Sequence, residues 1–209
     1  MVAAALIVDV VGSRRMPDRE AAQRALDEAL ARLERDLPEA VVPVHPIVGD
    51  EMQGVFPDLD AALCATLLFQ LALPDAVECR YGIGIGEVGE VPSASGGISD
   101  GPGWWAARSA IEDAETLADR ALPAARVRVR AADESDRPVV RRANAYLAAR
   151  DELVAAMSER TRRLTYGRCL GLTQRRLAEQ EGITQSAVSQ ALTAAGAAGV
   201  VEGFRLLRG

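Results

Sequence analysis

The stretch Val44-His-Pro-Ile-Val-Gly-Asp-Glu-Met-Gln-Gly-Val-Phe56 decides how the chain is read. Two apolar segments, Val41 to Val48 and Met52 to Phe56, flank the pair Gly49-Asp50, the pattern of a β-hairpin whose turn presents a carboxylate. Pro43 and Pro46 cannot donate ladder hydrogen bonds, so the first of these strands is expected at an edge or to be irregular. Upstream, Ala4 to Val11 reads as a strand carrying Asp9 inside the run Ala-Leu-Ile-Val-Asp-Val-Val. An unpaired ionised carboxylate is costly to bury there. A cation shared by Asp9 and Asp50 removes that cost. Hard divalent ions such as Mg2+ take oxygen from one or two carboxylates plus substrate phosphates, so the pair points to a nucleoside triphosphate site.

Working outward, Gly12-Ser13-Arg14-Arg15 turns into an amphipathic helix over Pro17 to Leu37, with Ala22, Leu26, Ala29, Leu30, Leu33 and Leu37 three and four apart. A second helix starts near Asp58 and ends before Pro74. Cys79, Tyr81, Ile83 and Ile85 then alternate with Arg80, Gly82, Gly84 and Gly86, which predicts a strand with one face stripped of side chains and something packed closely on it. The order strand, helix, strand, strand, helix, strand is that of the ferredoxin-like or palm βαββαβ unit. Its antiparallel centre places Asp9 beside the hairpin. A Gly/Ser/Pro-rich loop over Pro92 to Gly103, a helix over Trp104 to Leu122 and a short strand at Val127 and Val129 follow. The polar stretch Ala131 to Pro138 marks a domain boundary.

Beyond it, Val140, Ala143, Leu147, Val154, Met157, Thr161 and Leu164 form one stripe of a helix expected to run unbroken to about Tyr166. Leu172-Thr173 opens a short helix through Glu181, Gly182 turns, Thr184 caps a second helix through Ala195, and Gly196 to Gly203 reads as a wing. Two helices joined by a three-residue turn containing glycine follow the helix-turn-helix plan. The expected fold is thus α+β: a palm domain over 1–132, a linker helix over 133–166, and an all-α winged helix-turn-helix domain over 167–209.

Composition narrows the classes. With 49% hydrophobic and 26% charged residues, the 209-residue chain has apolar material for a sizeable core. No run approaches the ~18 uncharged apolar residues of a membrane span, and no basic region precedes the first apolar run, so the protein is expected in the cytoplasm, away from membranes. Cys64, Cys79 and Cys169 are odd in number and far apart, which fits reduced thiols. Net charge is −6, but residues 1–150 carry 16 Arg and 24 acids whereas residues 151–209 carry 8 Arg and 6 acids, so an anionic partner would dock on the C-terminal part. His45, the one histidine, stands without a partner motif and is expected to be structural.

Taken in order, Asp9, the Gly49-Asp50 hairpin, the strand Arg80-Tyr-Gly-Ile-Gly-Ile-Gly-Glu87 and the helix with Ala107-Arg108 resemble the catalytic domain of class III nucleotidyl cyclases. The hairpin Val-Gly-Asp-Glu-Met is also similar to the Gly-Gly-Asp-Glu-Phe turn of diguanylate cyclases, with Val48 for the first glycine. The resemblance implies Asp9 and Asp50 as ligands of Mg2+ or Mn2+. It implies a nucleotide met by Val10 near the end of the first strand, by Gly12, Ser13 and Arg14 after it, by Glu51 in the hairpin and by Arg108. If the site is active, Arg108 would be the catalytic group that stabilises charge developing in phosphoryl transfer. Pro46 stands where purine-selecting cyclases have lysine, and Trp104 where they have asparagine. That combination favours binding a nucleotide over turning it over.

From end to end, Asp-Val-Val-Gly-Ser-Arg, Gly-Asp-Glu-Met-Gln-Gly, Gly-Pro-Gly-Trp-Trp-Ala-Ala-Arg-Ser-Ala and the C-terminal segment resemble the SatD family. Leu172 to Leu192 is similar to the winged helix-turn-helix of bacterial regulators. That likeness implies DNA as partner, with Gln185, Ser186, Ser189 and Gln190 at base edges and Arg168, Gln174 and Arg175 at phosphates. A segment of net charge +2 leaves a small electrostatic footprint, so a homodimer is expected.

Overall fold

The computed structural model describes residues 2–47, 49–91 and 98–209. Val48 of the expected first hairpin strand and residues 92–97 of the expected loop lie outside them.

Strand β1 (Val2–Val10) leads through a 3-10 turn (Ser13–Arg15) to helix α1 (Arg19–Asp36); β2 (Val42–Pro46), β3 (Glu51–Phe56), α2 (Leu59–Ala72) and β4 (Cys79–Glu87) complete the βαββαβ unit. A small hairpin of β5 (Gly89–Val91) and β6 (Ile98–Asp100), helix α3 (Pro102–Arg120) and β7 (Val127–Ala131) follow. The main sheet has the order β2-β3-β1-β4-β7, antiparallel except for the β4–β7 pair. That is the palm order with one strand added at an edge. The register puts Asp9 opposite both Glu51 on β3 and Arg80 on β4.

The two faces of the sheet are covered differently. Even-numbered residues of β1, Ala4 to Val10, join Phe56, Tyr81 and Ile83 in a core closed by α1 and α2, whereas Ala3, Ala5 and Ile7 meet Trp104, Ala107 and Ile111 of α3. Helix α3 lies on the strand face that the alternation left bare. A Cβ on Gly84 would stand 2.0 Å from the Gly103 carbonyl oxygen, and one on Gly82 2.2 Å from that of Ala107. The glycines of β4 therefore serve the close approach of α3. A ligand has no access to that face of the strand. The expected loop from Pro92 gives way, in its described part, to β6 and then to α3, whose first turn Pro102 opens.

The expected long helix is broken. It ends as α4 (Arg137–Ala155), and Ser158, whose hydroxyl accepts from the Thr161 amide, caps α5 (Glu159–Cys169). Helix α4 packs on β7, α5 on α2, and their buried residues Leu147, Val154, Leu164 and Tyr166 belong to the same core as the sheet. Two neighbouring charges lie inside it. The side chains of Arg150 and Asp151 are 0% and 1% exposed. Arg150 donates to the Leu63 carbonyl, Thr66 and Gln70 on α2 and to Asp151, while the second Asp151 oxygen accepts the amides of Arg126 and Val127 at 2.8 and 2.9 Å.

Helices α6 (Gln174–Glu181) and α7 (Gln185–Ala194) are joined at Gly182, Ile183 and Thr184, with Gly182 at φ +65° and the Thr173 and Thr184 hydroxyls as caps. The expected wing is instead helix α8 (Ala197–Arg208). Ala197, Val200 and Phe204 give it a buried stripe at helical spacing, and Gly203 lets the Tyr146 ring lie against it, since a Cβ there would be 2.8 Å from the Tyr146 hydroxyl. No helix among the described residues is long and apolar enough to cross a membrane.

Candidate functional site

Asp9 is the last member of the β1 stripe that faces α3, at the point where the stripe reaches solvent, and its side chain is 34% exposed. Arg80 approaches it to 3.4 Å but binds Glu115 of α3 more closely, at 2.8 Å. Asp9, expected to be unpaired, gains a partner from the antiparallel register, which weakens the case that a cation is needed to bury it. The partner does not finish the neutralisation. Burial first, and then the Asp50 carboxylate, hold the Asp9 pKa above the ordinary carboxylate value despite the opposing pull of Arg80.

Asp50 follows Gly49, whose φ of +70° makes the tight turn, and its carboxylate accepts the Ser13 hydroxyl. Gly12, at φ +66°, starts the 3-10 turn that brings Ser13 across to the hairpin. Val10, Ser13, Gly49, Asp50 and Glu51 line a small groove of about 50 Å3 against α1. Val10 is buried and contributes an apolar wall. Arg14 is exposed and, among the described residues, makes no ion pair.

Glu51 and Arg108 form a bidentate pair at 2.6 and 2.7 Å. The sequence offered Arg108 a helix-surface partner, Glu112; the observed partner is in the hairpin. Arg108 is therefore engaged, yet it stands near enough to Asp9 to feel its charge. Trp104, in the first turn of α3, is buried against the sheet, whereas Trp105 is exposed and donates its indole N–H to Asp100. His45 rests on the Pro43 carbonyl at 2.8 Å. Burial pushes the Cys64 thiol up to about 12, so it stays protonated and unreactive.

Two carboxylates and a serine hydroxyl are hard-oxygen donors of the kind that a small divalent cation takes. Among the described residues no three His, Cys, Asp or Glu side chains gather into a complete ligand set, so such an ion would need waters or ligand phosphates to fill its shell. Because the folded state holds the Asp9 proton more tightly than the unfolded chain, the ionised form carries a stability penalty. The penalty is absent below the unfolded pKa and complete above the raised folded one. Asp9→Asn is thus expected to stabilise the metal-free protein at neutral pH and to lose that advantage in acid, as thermal unfolding at several pH values would read.

In the C-terminal part, Gln185, Ser186 and Gln190 are exposed on α7, while Ser189 and Gln174 are half-buried. The expected phosphate contacts are partly occupied: Arg175 pairs with Glu179 at 3.3 Å, and an Arg168 guanidinium N–H is given to the Leu172 carbonyl.

Residues 3–200 match the SatD family. The chain belongs to that family. No curated protein matches it. Among solved structures it is similar to the guanylyl cyclase Cya2, at 15% identity with 57% of this chain and 77% of that chain covered and a TM-score of 0.42. It is also similar to the adenylyl cyclase CyaB from P. aeruginosa, at 18% identity with 54% and 71% covered and a TM-score of 0.39. Arg80 and Glu115, which stand beside Asp9, were not among the residues that the sequence singled out. Arg80 comes opposite Asp9 through the β1–β4 register, which neither strand's local pattern reveals.

Proposed function

We propose that this SatD-family protein binds a nucleotide through a divalent cation held by Asp9 and Asp50, and that it senses the nucleotide rather than converting it. The observation that carries the reading is the Asp9–Asp50 pair: the Asp50 carboxylate helps to raise the Asp9 pKa, and Arg80 offsets the local negative charge only in part. Mg2+ or Mn2+ would bridge the carboxylates and the ligand's phosphates. Ser13 and the Gly12 turn would orient the Asp50 carboxylate, and Val10 would wall the groove.

Turnover draws less support. Arg108, the group that would stabilise a transferring phosphoryl, is clamped to Glu51, and a buried Trp104 replaces a polar side chain on the same helix. A phosphoryl-transfer enzyme stays in contention through one observation, the closeness of Arg108 to Asp9. Incubation with Mn2+ and each nucleoside triphosphate, followed by mass spectrometry, separates the two: a product lost in Asp9→Ala means an enzyme.

In this proposal α6 and α7 are a helix-turn-helix that reads DNA, with Gln185, Ser186 and Gln190 at base edges, and two copies of the chain act together. What supports it is the exposed polar face of α7 behind a capped, glycine-containing turn. Selection of duplexes from a random library by the full chain is expected to enrich a sequence, and the Gln185→Ala, Gln190→Ala double variant to lose the preference. No enrichment would remove DNA from the account.

A further inference from the structure

A second cavity lies away from the acidic pair, between the start of β4, the α2–β4 connection and helices α4 and α5, and its volume is about 300 Å3. Tyr81, Cys79, Val77, Val154, Ala155 and Arg162 are among its walls. We infer that it is a binding site for an uncharged small molecule that offers a carbonyl-type acceptor on an apolar body.

Among the described residues, two polar groups in the wall lack an oxygen or nitrogen partner. Tyr81 is 0% exposed, and its hydroxyl has only the Cys79 thiol beside it, a weak partner. The Nε of Arg162 is buried and unpartnered as well. Orphaned buried donors are uncommon and cost stability wherever they persist. A single water, with about 30 Å3 of liquid volume, would leave most of this space unfilled. The volume falls at the lower end of the roughly 300–1,000 Å3 of small-molecule sites, and its wall mixes apolar side chains with polar ones.

The charges that line the cavity decide the ligand's own charge. Arg162 spends its terminal nitrogens on Asp75 at 2.5 Å and on the carbonyls of Leu73 and Met157. Arg126 is divided between Glu78, at 2.6 Å, and the carbonyls of Pro123 and Ala125. Asp151 is filled by Arg150 and two backbone amides. Among the described residues no lining cation keeps a free terminal face for an anion, and the second oxygens of Asp75 and Glu78 belong to side chains 71% and 51% exposed, where a pair with an ammonium is worth little. What remains is N–H and O–H donation from Arg162 and Tyr81, which an amide or ketone oxygen with two lone pairs accepts. The site joins β4 to α4 and α5, and Tyr81 adjoins Arg80, so occupancy would bear on the sheet and the C-terminal helices together.

Saturation-transfer NMR on the full chain with benzamide, acetanilide and 2-pyridone, and with benzoate and benzylamine as charged matches, tests the assignment. At least one uncharged probe is expected to saturate with a millimolar or tighter Kd, the charged ones not. Ala155→Trp, at an exposed rim position, is expected to remove that binding. Tyr81→Phe is expected to weaken it at least fivefold while leaving the melting temperature equal or higher, because an unsatisfied hydroxyl is deleted. The assignment is overturned if no uncharged probe saturates, if the charged probes bind as well, or if binding survives both substitutions. A lower melting temperature in Tyr81→Phe would overturn it too, by showing the hydroxyl to be a structural partner.

Discussion

Asp151→Ala is expected to cost about 3–5 kcal/mol of unfolding free energy, the range for stripping one member from a buried ion pair. The Asp151 side chain is 1% exposed and accepts from Arg150 and from the amides of Arg126 and Val127. Alanine leaves the guanidinium without its counter-charge and two backbone donors without an acceptor. Arg150→Met is expected to cost less, because the Asp151 carboxylate keeps both amides while the methionine fills much of the vacated volume. Urea unfolding of the two variants checks the order. If Asp151→Ala lost under 1 kcal/mol, the pair would not be what ties α4 to α2 and β7.

The second large effect is expected from Gly84→Ala, at about 3 kcal/mol or more, the upper end for overpacking. The added methyl carbon would fall 2.0 Å from the Gly103 carbonyl oxygen and 2.3 Å from the Ala107 amide nitrogen. Both are backbone atoms of a helix, which cannot swing aside as a side chain can. Either α3 lifts from the sheet or the strand bends, and Arg108 and Glu115 move with the helix. Circular dichroism melts of Gly84→Ala against Gly89→Ala make the comparison, because a Cβ on Gly89 meets its nearest neighbour at 3.6 Å. Equal losses would contradict the role given to the β4 glycines.

These two sites show where the sequence was legible. The β4 alternation told that something packs on the glycine face, because strand periodicity maps directly onto faces. It did not tell that α3 fills the space, since which element arrives is decided by tertiary packing. The hairpin at Gly49-Asp50 and the strand bearing Asp9 were readable from local pattern, and the register then set Asp9 opposite Glu51. Arg80 beside Asp9 was not readable, for register across strands is a long-range property. The segment Ala-Ala-Arg150-Asp151-Glu looks like any solvated helix face, and only the arrival of α2 and β7 makes it a core. Gly196 to Gly203 suggested a wing because glycines punctuate. Yet Ala197, Val200 and Phe204 carried a helical period that outweighed Gly199 and Gly203 once there was a core to bury them. Ser158 was a legible cap in an otherwise continuous pattern, and the apolar stripe concealed it.

The central claim is that Asp9 and Asp50 hold a cation for a nucleotide. Isothermal titration of the full chain with nucleoside triphosphates, cyclic mononucleotides and cyclic dinucleotides, each with and without Mg2+, tests it most directly. The account requires at least one nucleotide to bind only when Mg2+ is present, and Asp50→Ala to weaken that binding at least tenfold with the fold intact by circular dichroism. Binding indifferent to Mg2+ and to Asp50→Ala, or no binding by any of these nucleotides, would contradict it.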